Sequence, residues 1–327
     1  VCPLINNSEG AKIASSAIYF IKAPTNVVAS NEVQGVKISW DRIGGAVSYV
    51  ISRKDSYGSV EKIATVEGNT NVSYIDKDVE NGVTYTYTVV AVNSLGESKV
   101  SDNSNSLYRW NEPINTTPEF AEGGIKVTWQ AKSDATGYVI YRKSDNKWIP
   151  VGESKTAQYL DKDVVSNKTY SYAVGMIVNG SISAVHTNNQ VELRYIAPAN
   201  EITAANGSNY TKVSWKAVEG ATKYYLYKSI SENGKYELVS AFDAGTLSYV
   251  DRDVAAGETV YYKTRCFNGV DMSAFSTAKR SVFIEIPKIK SVVNVYGGQT
   301  FSWGAVKGAT GYRVYRKIYG SKYYTYI

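Results

Sequence analysis

The stretch SYIDKDVENGVTYTY, Ser73–Tyr87, returns as QYLDKDVVSNKTYSY at 158–172 and as SYVDRDVAAGETVYY at 248–262. A phrase that recurs in register, with two aspartates two apart and a closing tyrosine, marks a structural step taken once per repeat. Four tryptophans set the period: Trp40, Trp129, Trp215 and Trp303 lie 89, 86 and 88 residues apart and close GVKISW, GIKVTW, YTKVSW and GQTFSW. Soon after each comes SYVISRK, GYVIYRK, KYYLYKS or GYRVYRK, and Pro24, Pro113, Pro198 and Pro287 open the repeats at spacings of 89, 85 and 89. A period this long signals tandem domains rather than a short-repeat solenoid.

Within one repeat the apolar residues alternate. Val36, Ile38 and Trp40 share one parity, then Tyr49 and Ile51, then Tyr85, Tyr87, Val89 and Ala91. Period two in Val, Ile, Tyr and Thr predicts half-buried strands, with no helical stretch competing. Turn signals at Gly44-Gly45, Tyr57-Gly58, Asn81-Gly82 and Leu95-Gly96 predict an antiparallel sandwich of about seven strands. The recurring phrase then reads as the corner where a strand leaves one sheet for the other and its backbone groups need partners. Tyr74 is expected to point into the core, Asp76 and Asp78 to bond turn amides, and Tyr85 to take the corner-tyrosine position.

The strand-ending Trp, the following Tyr-x-[Val/Ile/Leu]-[Tyr/Ser]-[Arg/Lys], the Tyr-x-Asp turn and the Gly-x-Thr-x-Tyr lead resemble fibronectin type III modules. More narrowly, they resemble those found in tandem in bacterial surface proteins and beside polysaccharide-degrading catalytic domains. The resemblance covers essentially the whole chain and implies an all-β fold of tandem immunoglobulin-like sandwiches arranged end to end. It implies no activity of its own. The third full module departs from the pattern, because Val260 stands where Tyr85 and Tyr170 stand and the corner hydroxyl is lost, with Tyr261 the candidate to replace it.

The repeat divides the chain into full modules at 23–111, 112–196 and 197–286, flanked by the last strands of an upstream module at 1–22 and the first strands of a further one at 287–327. The ends are thus expected to belong to a longer array, with strand exchange between copies a minor alternative. Short proline-containing junctions predict a semi-rigid rod, roughly 100 Å for three modules by strand arithmetic.

Composition narrows the function classes. Aromatics reach 13% with 28 tyrosines, enough to build cores and argue against disorder. A net charge of +6, from 36 basic and 30 acidic residues interspersed, offers no polybasic stripe for nucleic acid. Cys2 and Cys266 fall in separate repeats, so a bridge between them is not expected. No long apolar run predicts membrane insertion, and 11–24 is too short and too late for a secretory signal.

Catalytic chemistry finds little material. His186 is the one histidine, placed on a last strand at a position that reads as exposed strand surface rather than as part of a triad. The aspartate pairs 76/78, 161/163 and 251/253 sit on turns, which favours capping over glycoside hydrolysis or a calcium site. No phosphate loop, metal cluster or cofactor motif occurs. Sequons at Asn71 and Asn167 matter only in a glycosylating host.

What remains is surface. With Tyr138 and Ile140 inward, Val139, Tyr141 and Lys143 face outward, and the same parity exposes Tyr227 and Tyr315 as a candidate binding surface for polysaccharide or another surface protein. Trp148 is read as edge-strand packing and Trp110 as a wedge between the first two full modules. The leading expectation is a non-catalytic extracellular spacer, stalk or surface-fibre segment that positions other domains. The alternatives are an adhesion or carbohydrate-binding array, the accessory region of a secreted polysaccharide-degrading enzyme, and a phage fibre component.

Overall fold

A computed structural model describes Cys2, residues 4–12 and residues 20–327. Among these the chain is all-β. A small hairpin of β1 (Leu4–Ile5) and β2 (Ser8–Glu9) comes first; the rest of the expected upstream strands, residues 13–19, lies outside the described residues.

The first module holds β3 (Val28–Glu32), β4 (Gly35–Ser39), β5 (Ser48–Asp55), β6 (Val60–Glu67), β7 (Ser73–Asp76), β8 (Thr84–Asn93), β9 (Gly96–Glu97) and β10 (Leu107–Tyr108). They form two sheets, β3-β4-β7 and β10-β8-β5-β6, with β9 also on β8. Strands cross between sheets after β4, β6 and β7, which is the immunoglobulin-like plan with a fibronectin type III strand distribution.

The second module repeats it with β11 (Thr116–Ala121), β12 (Gly124–Trp129), β13 (Gly137–Ser144), β14 (Lys147–Ser154), β15 (Gln158–Asp161), β16 (Thr169–Val178), β17 (Ser181–Ile182) and β18 (Glu192–Arg194), in sheets β11-β12-β15 and β14-β13-β16-β17. The third follows with β19 (Thr203–Asn206), β20 (Thr211–Ser214), β21 (Lys223–Ser229), β22 (Glu237–Asp243), β23 (Ser248–Asp251), β24 (Thr259–Phe267) and β25 (Lys279–Val282), in sheets β19-β20-β23 and β22-β21-β24-β25. Two hairpins end the described chain: β26 (Ile289–Val295) with β27 (Gly298–Trp303), and β28 (Tyr315–Arg316) with β29 (Thr325–Tyr326). The chain divides into two compact units. One holds Val1–Pro118, Val127–Tyr159 and Ser171–Val191; the other holds Glu119–Lys126, Leu160–Tyr170 and Glu192–Ile327.

The alternation seen in sequence becomes burial. Strand β8 alternates half-buried and buried along its first nine residues, with Tyr85, Tyr87, Val89 and Ala91 inward. Together with Val36, Ile38, Trp40, Tyr49 and Ile51 they form one core; Val213, Trp215, Tyr224, Leu226, Val260, Tyr262 and Cys266 form the third module's own. Each Trp leans on the tyrosine that follows it: ring centroids are 5.3 Å apart for Trp40–Tyr49, 5.2 Å for Trp129–Tyr138, 5.9 Å for Trp215–Tyr224 and 5.3 Å for Trp303–Tyr312. Each tyrosine hydroxyl accepts the backbone N–H six residues earlier, from Ile43, Lys132, Val218 and Val306 at 2.7–2.9 Å. In the three full modules the ring thereby buries its surface while its polar end satisfies a loop amide; Tyr312 makes the same bond but stays 40% exposed. The glycines that open β4 and β12 are required by close approach: a Cβ at Gly35 would lie 2.1 Å from the Asp76 carbonyl oxygen, and one at Gly124 would lie 2.0 Å from that of Asp161.

The last strand of each module departs from expectation. His186 lies between β17 and β18 rather than on a strand. Serine side chains stand in for part of the ladder: Ser98, Ser101 and Ser104 each accept an N–H of β8 through Oγ, from Ala91, Val89 and Tyr87 at 2.9–3.0 Å. The same serines donate their own N–H groups to the carbonyls of those residues at 2.8–3.0 Å. A spacing of three suits an extended helix with three residues per turn, so only every third residue faces β8. Ser273 and Ser276 do the same for Cys266 and Thr264.

Candidate functional site

The recurring phrase builds a buried charge cluster, which is more than the turn cap expected of it. Asp76, at the end of β7, is 2% exposed and receives Arg53 Nη1 from β5 at 2.9 and 3.1 Å. Tyr87, the last residue of the phrase, donates its hydroxyl to the same carboxylate at 3.1 Å, and the Asp78 N–H reaches Asp76 Oδ1 at 3.2 Å. Arg53 also spans to Glu61 at 3.0 Å. In the third module Lys228 takes the arginine's place, 3.3 Å from Asp251 and 2.9 Å from Asp253, and Tyr262 donates to Asp251 at 2.7 Å. The second module carries Arg142, Asp161 and Tyr172 at these positions, with Asp161 and Tyr172 buried.

A buried carboxylate already neutralised by a cation and bonded by a phenol and an amide is a poor ligand for a metal or a substrate. Burial lowers the Arg53 pKa, but bonding to Asp76 and its charge more than offset this, so the guanidinium is held above its ordinary value. Burial and the Asp76 charge push the Tyr87 phenol up, as burial and the bond to Asp251 do for Tyr262. All three perturbations describe a static lock between the two sheets.

The corner hydroxyls are in place: Tyr85 accepts the Glu80 N–H at 3.1 Å and Tyr170 the Val165 N–H at 2.8 Å. In the third module, where Val260 has no hydroxyl, the Ala255 N–H goes to the Glu258 carboxylate at 3.1 Å, not to Tyr261. A cleft beside this corner is lined by Lys228, Tyr249, Asp251, Asp253, Glu258 and Val260 among others.

The surface candidates sit in three different environments. Tyr141 and Lys143 share a face of β13, and both are half-buried. Val139 on that face is 5% exposed, against the outward expectation. The cause is visible at Gly175: a Cβ there would meet Ile182 at 2.9 Å, Val185 at 3.1 Å and the Tyr141 ring at 3.7 Å, so the segment after β17 folds over this face. Burial raises the Tyr141 phenol accordingly. Tyr227 meets Phe275 edge-on with centroids 4.9 Å apart. Tyr315 is 53% exposed and contacts Tyr326 at 5.8 Å.

Among the other readings, His186 is half-buried and its Nε2 lies 3.0 Å from Asn111 Oδ1, in the junction rather than beside a nucleophile. Trp110 stacks on Tyr108 and its carbonyl accepts the Ala184 N–H at 2.9 Å. Asn31 donates to the Ile182 carbonyl at 2.8 Å and Tyr108 N–H to Ser181 Oγ at 3.0 Å, so the first junction is bonded on several sides. Both sequon asparagines are engaged: Asn71 Nδ2 donates to Glu67 O at 2.6 Å, and Asn167 Oδ1 accepts from Arg194 Nε at 3.1 Å. Cys2 Sγ donates to the Gly10 carbonyl at 3.0 Å, while Cys266 is a free thiol that burial pushes up to about 12. Among the described residues no cluster of three or more His, Cys, Asp or Glu could hold a metal, and no helix is long and apolar enough to cross a membrane.

No protein-family model matches the chain. Curated relatives do. An amylopullulanase of Thermoanaerobacter thermohydrosulfuricus is 24% identical over 89% of this chain and 24% of its own length. An amylopullulanase of Thermoanaerobacterium saccharolyticum is 39% identical over 24% of this chain and 6% of its own length. The chain therefore spans about a quarter or less of the relatives it matches. Among solved structures it is similar to the FN1–FN3 domains of chicken CNTN1, at 16% identity over 81% of this chain and 99% of that one, TM-score 0.25. It is also similar to a Fn3-like protein from Clostridium thermocellum, at 28% identity over 26% of this chain and 91% of that one, TM-score 0.24. The strand order described above is itself that of fibronectin type III-like sandwiches in tandem.

Proposed function

We propose that this chain is a non-catalytic, modular accessory region of an exported polysaccharide-degrading enzyme. In that reading the modules at 23–111, 112–196 and 197–286 space or orient a catalytic domain elsewhere in the polypeptide. The observation that carries it is the similarity to an amylopullulanase across 89% of the chain. It favours this reading over a free-standing stalk, surface fibre or phage component. The physical support is that the titratable clusters are closed locks: Asp76 and Asp251 each hold a cation, a tyrosine and a backbone amide.

Sequencing the gene outward from this region tests it. The expected result is a glycoside hydrolase domain in the same open reading frame. A wall-anchored or phage structural gene without one would overturn it. The isolated chain is further expected to release no reducing ends from pullulan.

A binding array is the second reading, favoured by the third module alone. Of the candidates Tyr141, Lys143, Tyr227 and Tyr315, only Tyr227 belongs to a larger aromatic cluster that includes cations.

A further inference from the structure

The outer face of the third module's larger sheet is built unlike that of the first. Strand β24 alternates strictly, with Val260, Tyr262, Thr264 and Cys266 buried, so Tyr261, Lys263 and Arg265 share the opposite side. Register sets Lys263 beside Tyr227 of β21 and Tyr261 beside Arg280 of β25. Phe275 packs against Tyr227 and lies 6.3 Å from the Tyr236 ring. Lys263 Nζ stands 4.6 Å above Tyr236, and the Arg265 guanidinium 5.2 Å from Phe275.

The cations on this face are short of anionic partners. Arg265 Nε donates only to the Ser273 carbonyl, at 2.7 Å, and Lys263 forms no ion pair among the described residues. Carboxylates around the face are Asp243, opposite Lys223, Asp271, whose carbonyl accepts the Asn268 N–H just beyond β24, and Glu232 in the loop before β22, whose carbonyl accepts the Tyr236 hydroxyl. A shallow hollow opens among the Glu232–Gly234 loop, Tyr236, Lys263 and Phe275.

The sandwich does not need this arrangement. In the first module the same register places Ser52 opposite Thr88, and Val90 takes the position of Arg265. That module folds by the same plan without the cluster. Exposed cation–π pairs are individually weak, too weak to explain four aromatics and three cations on one face by stability.

We infer that this face binds an acidic polysaccharide: carboxylates of the polymer pair with Lys263, Arg265 and Arg280, and sugar rings lie against Tyr236 and Phe275. Charge complementarity carries the anionic part and the ring cluster the pyranose part. Three cations fall short of the roughly six to ten phosphate contacts of a dedicated nucleic-acid interface. The choice of a polysaccharide rests on the accessory-region reading above.

Affinity electrophoresis of the whole chain in native gels tests this, with polygalacturonate, pullulan and single-stranded DNA as separate arms. Polygalacturonate is expected to retard the chain, less so as salt rises. Lys263→Gln with Arg265→Gln is expected to weaken retention about tenfold or more, and Phe275→Ala also to weaken it, while Lys37→Gln, on an exposed position of β4, does not. Unchanged thermal melting of the double variant keeps the loss attributable to binding. The inference is overturned by no retardation in polygalacturonate, by equal retardation of the double variant, or by stronger retention in DNA or pullulan. A catalytic neighbour in the gene combined with any of those outcomes would sink this inference and leave the accessory-region reading standing.

Discussion

The first and third modules meet the same physical demands with different side chains. Both bury an aspartate at the end of the recurring phrase and both turn a corner that strands a backbone N–H. The first uses Arg53, 14% exposed, and the Tyr85 hydroxyl. The third uses Lys228, 25% exposed, and the Glu258 carboxylate. What the fold fixes is a charge to neutralise and a donor to satisfy; the residue that does so is free to vary. The outer faces diverge further, since nothing inside constrains them: Ser52, Thr88 and Val90 in the first module stand where Tyr227, Lys263 and Arg265 stand in the third.

The largest effect is expected at the lock. Arg53→Met leaves Asp76 buried without its cation and is expected to cost about 3–5 kcal/mol in the first module. Arg53→Lys, which copies the third module, is expected to cost well under half of that. Urea unfolding followed by exchange protection of β5 and β8 measures both. If Lys proved as damaging as Met, the two modules would not be solving the same problem.

Alkaline pH separates the modules next. The Cys266 thiol is pushed up to about 12 by burial, from an ordinary value of 9.0. Its contribution is full below pH 9 and is lost as pH rises from there toward 12, by up to about 1.4 kcal/mol per pH unit. The third module is therefore expected to lose stability from pH 9, and the first, whose Tyr87 phenol ionises ordinarily near 10.0, only above that. Cys266→Ala is expected to lower stability at neutral pH yet move the onset of alkaline loss in the third module to about pH 10. An unchanged onset would show that the thiol is not the cause.

Smaller still is the corner. Tyr85→Phe removes the partner of the Glu80 N–H and is expected to cost about 0.5–1.5 kcal/mol in the first module. Glu258→Ala is expected to cost the same in the third, where Glu80→Ala in the first costs nothing measurable. Adding Val260→Tyr to Glu258→Ala is expected to restore the loss, because the hydroxyl then returns to its position in the other two modules. Equilibrium unfolding of the single and double variants checks each.

These residues also show what the sequence could and could not carry. The tryptophan period, the strand parity and the corner tyrosines were legible because each is a local pattern repeated in register. The lock was not, because Arg53 and Asp76 lie on strands of different sheets, and a pair of aspartates on a turn reads locally as a cap. The signal present was the basic residue recurring as Arg53, Arg142 and Lys228 ahead of each phrase. The serine ladder was missed for the same kind of reason: Ser98, Ser101 and Ser104 recur every third residue, a period that belongs to neither strand nor helix. At Tyr141 parity groups the ring with Val139 and Lys143 but does not reveal the cover over that face, since Ile182 and Val185 return over Gly175 from the far side of a turn.

The account stands on each recurring phrase closing its own sandwich. Hydrogen exchange mapped along the whole chain in Asp251→Ala tests this most directly. Protection is expected to fall across β19–β25 and to remain at wild-type levels across β3–β10. Loss of protection in both stretches together would contradict it, because the two cores would then be one cooperative structure.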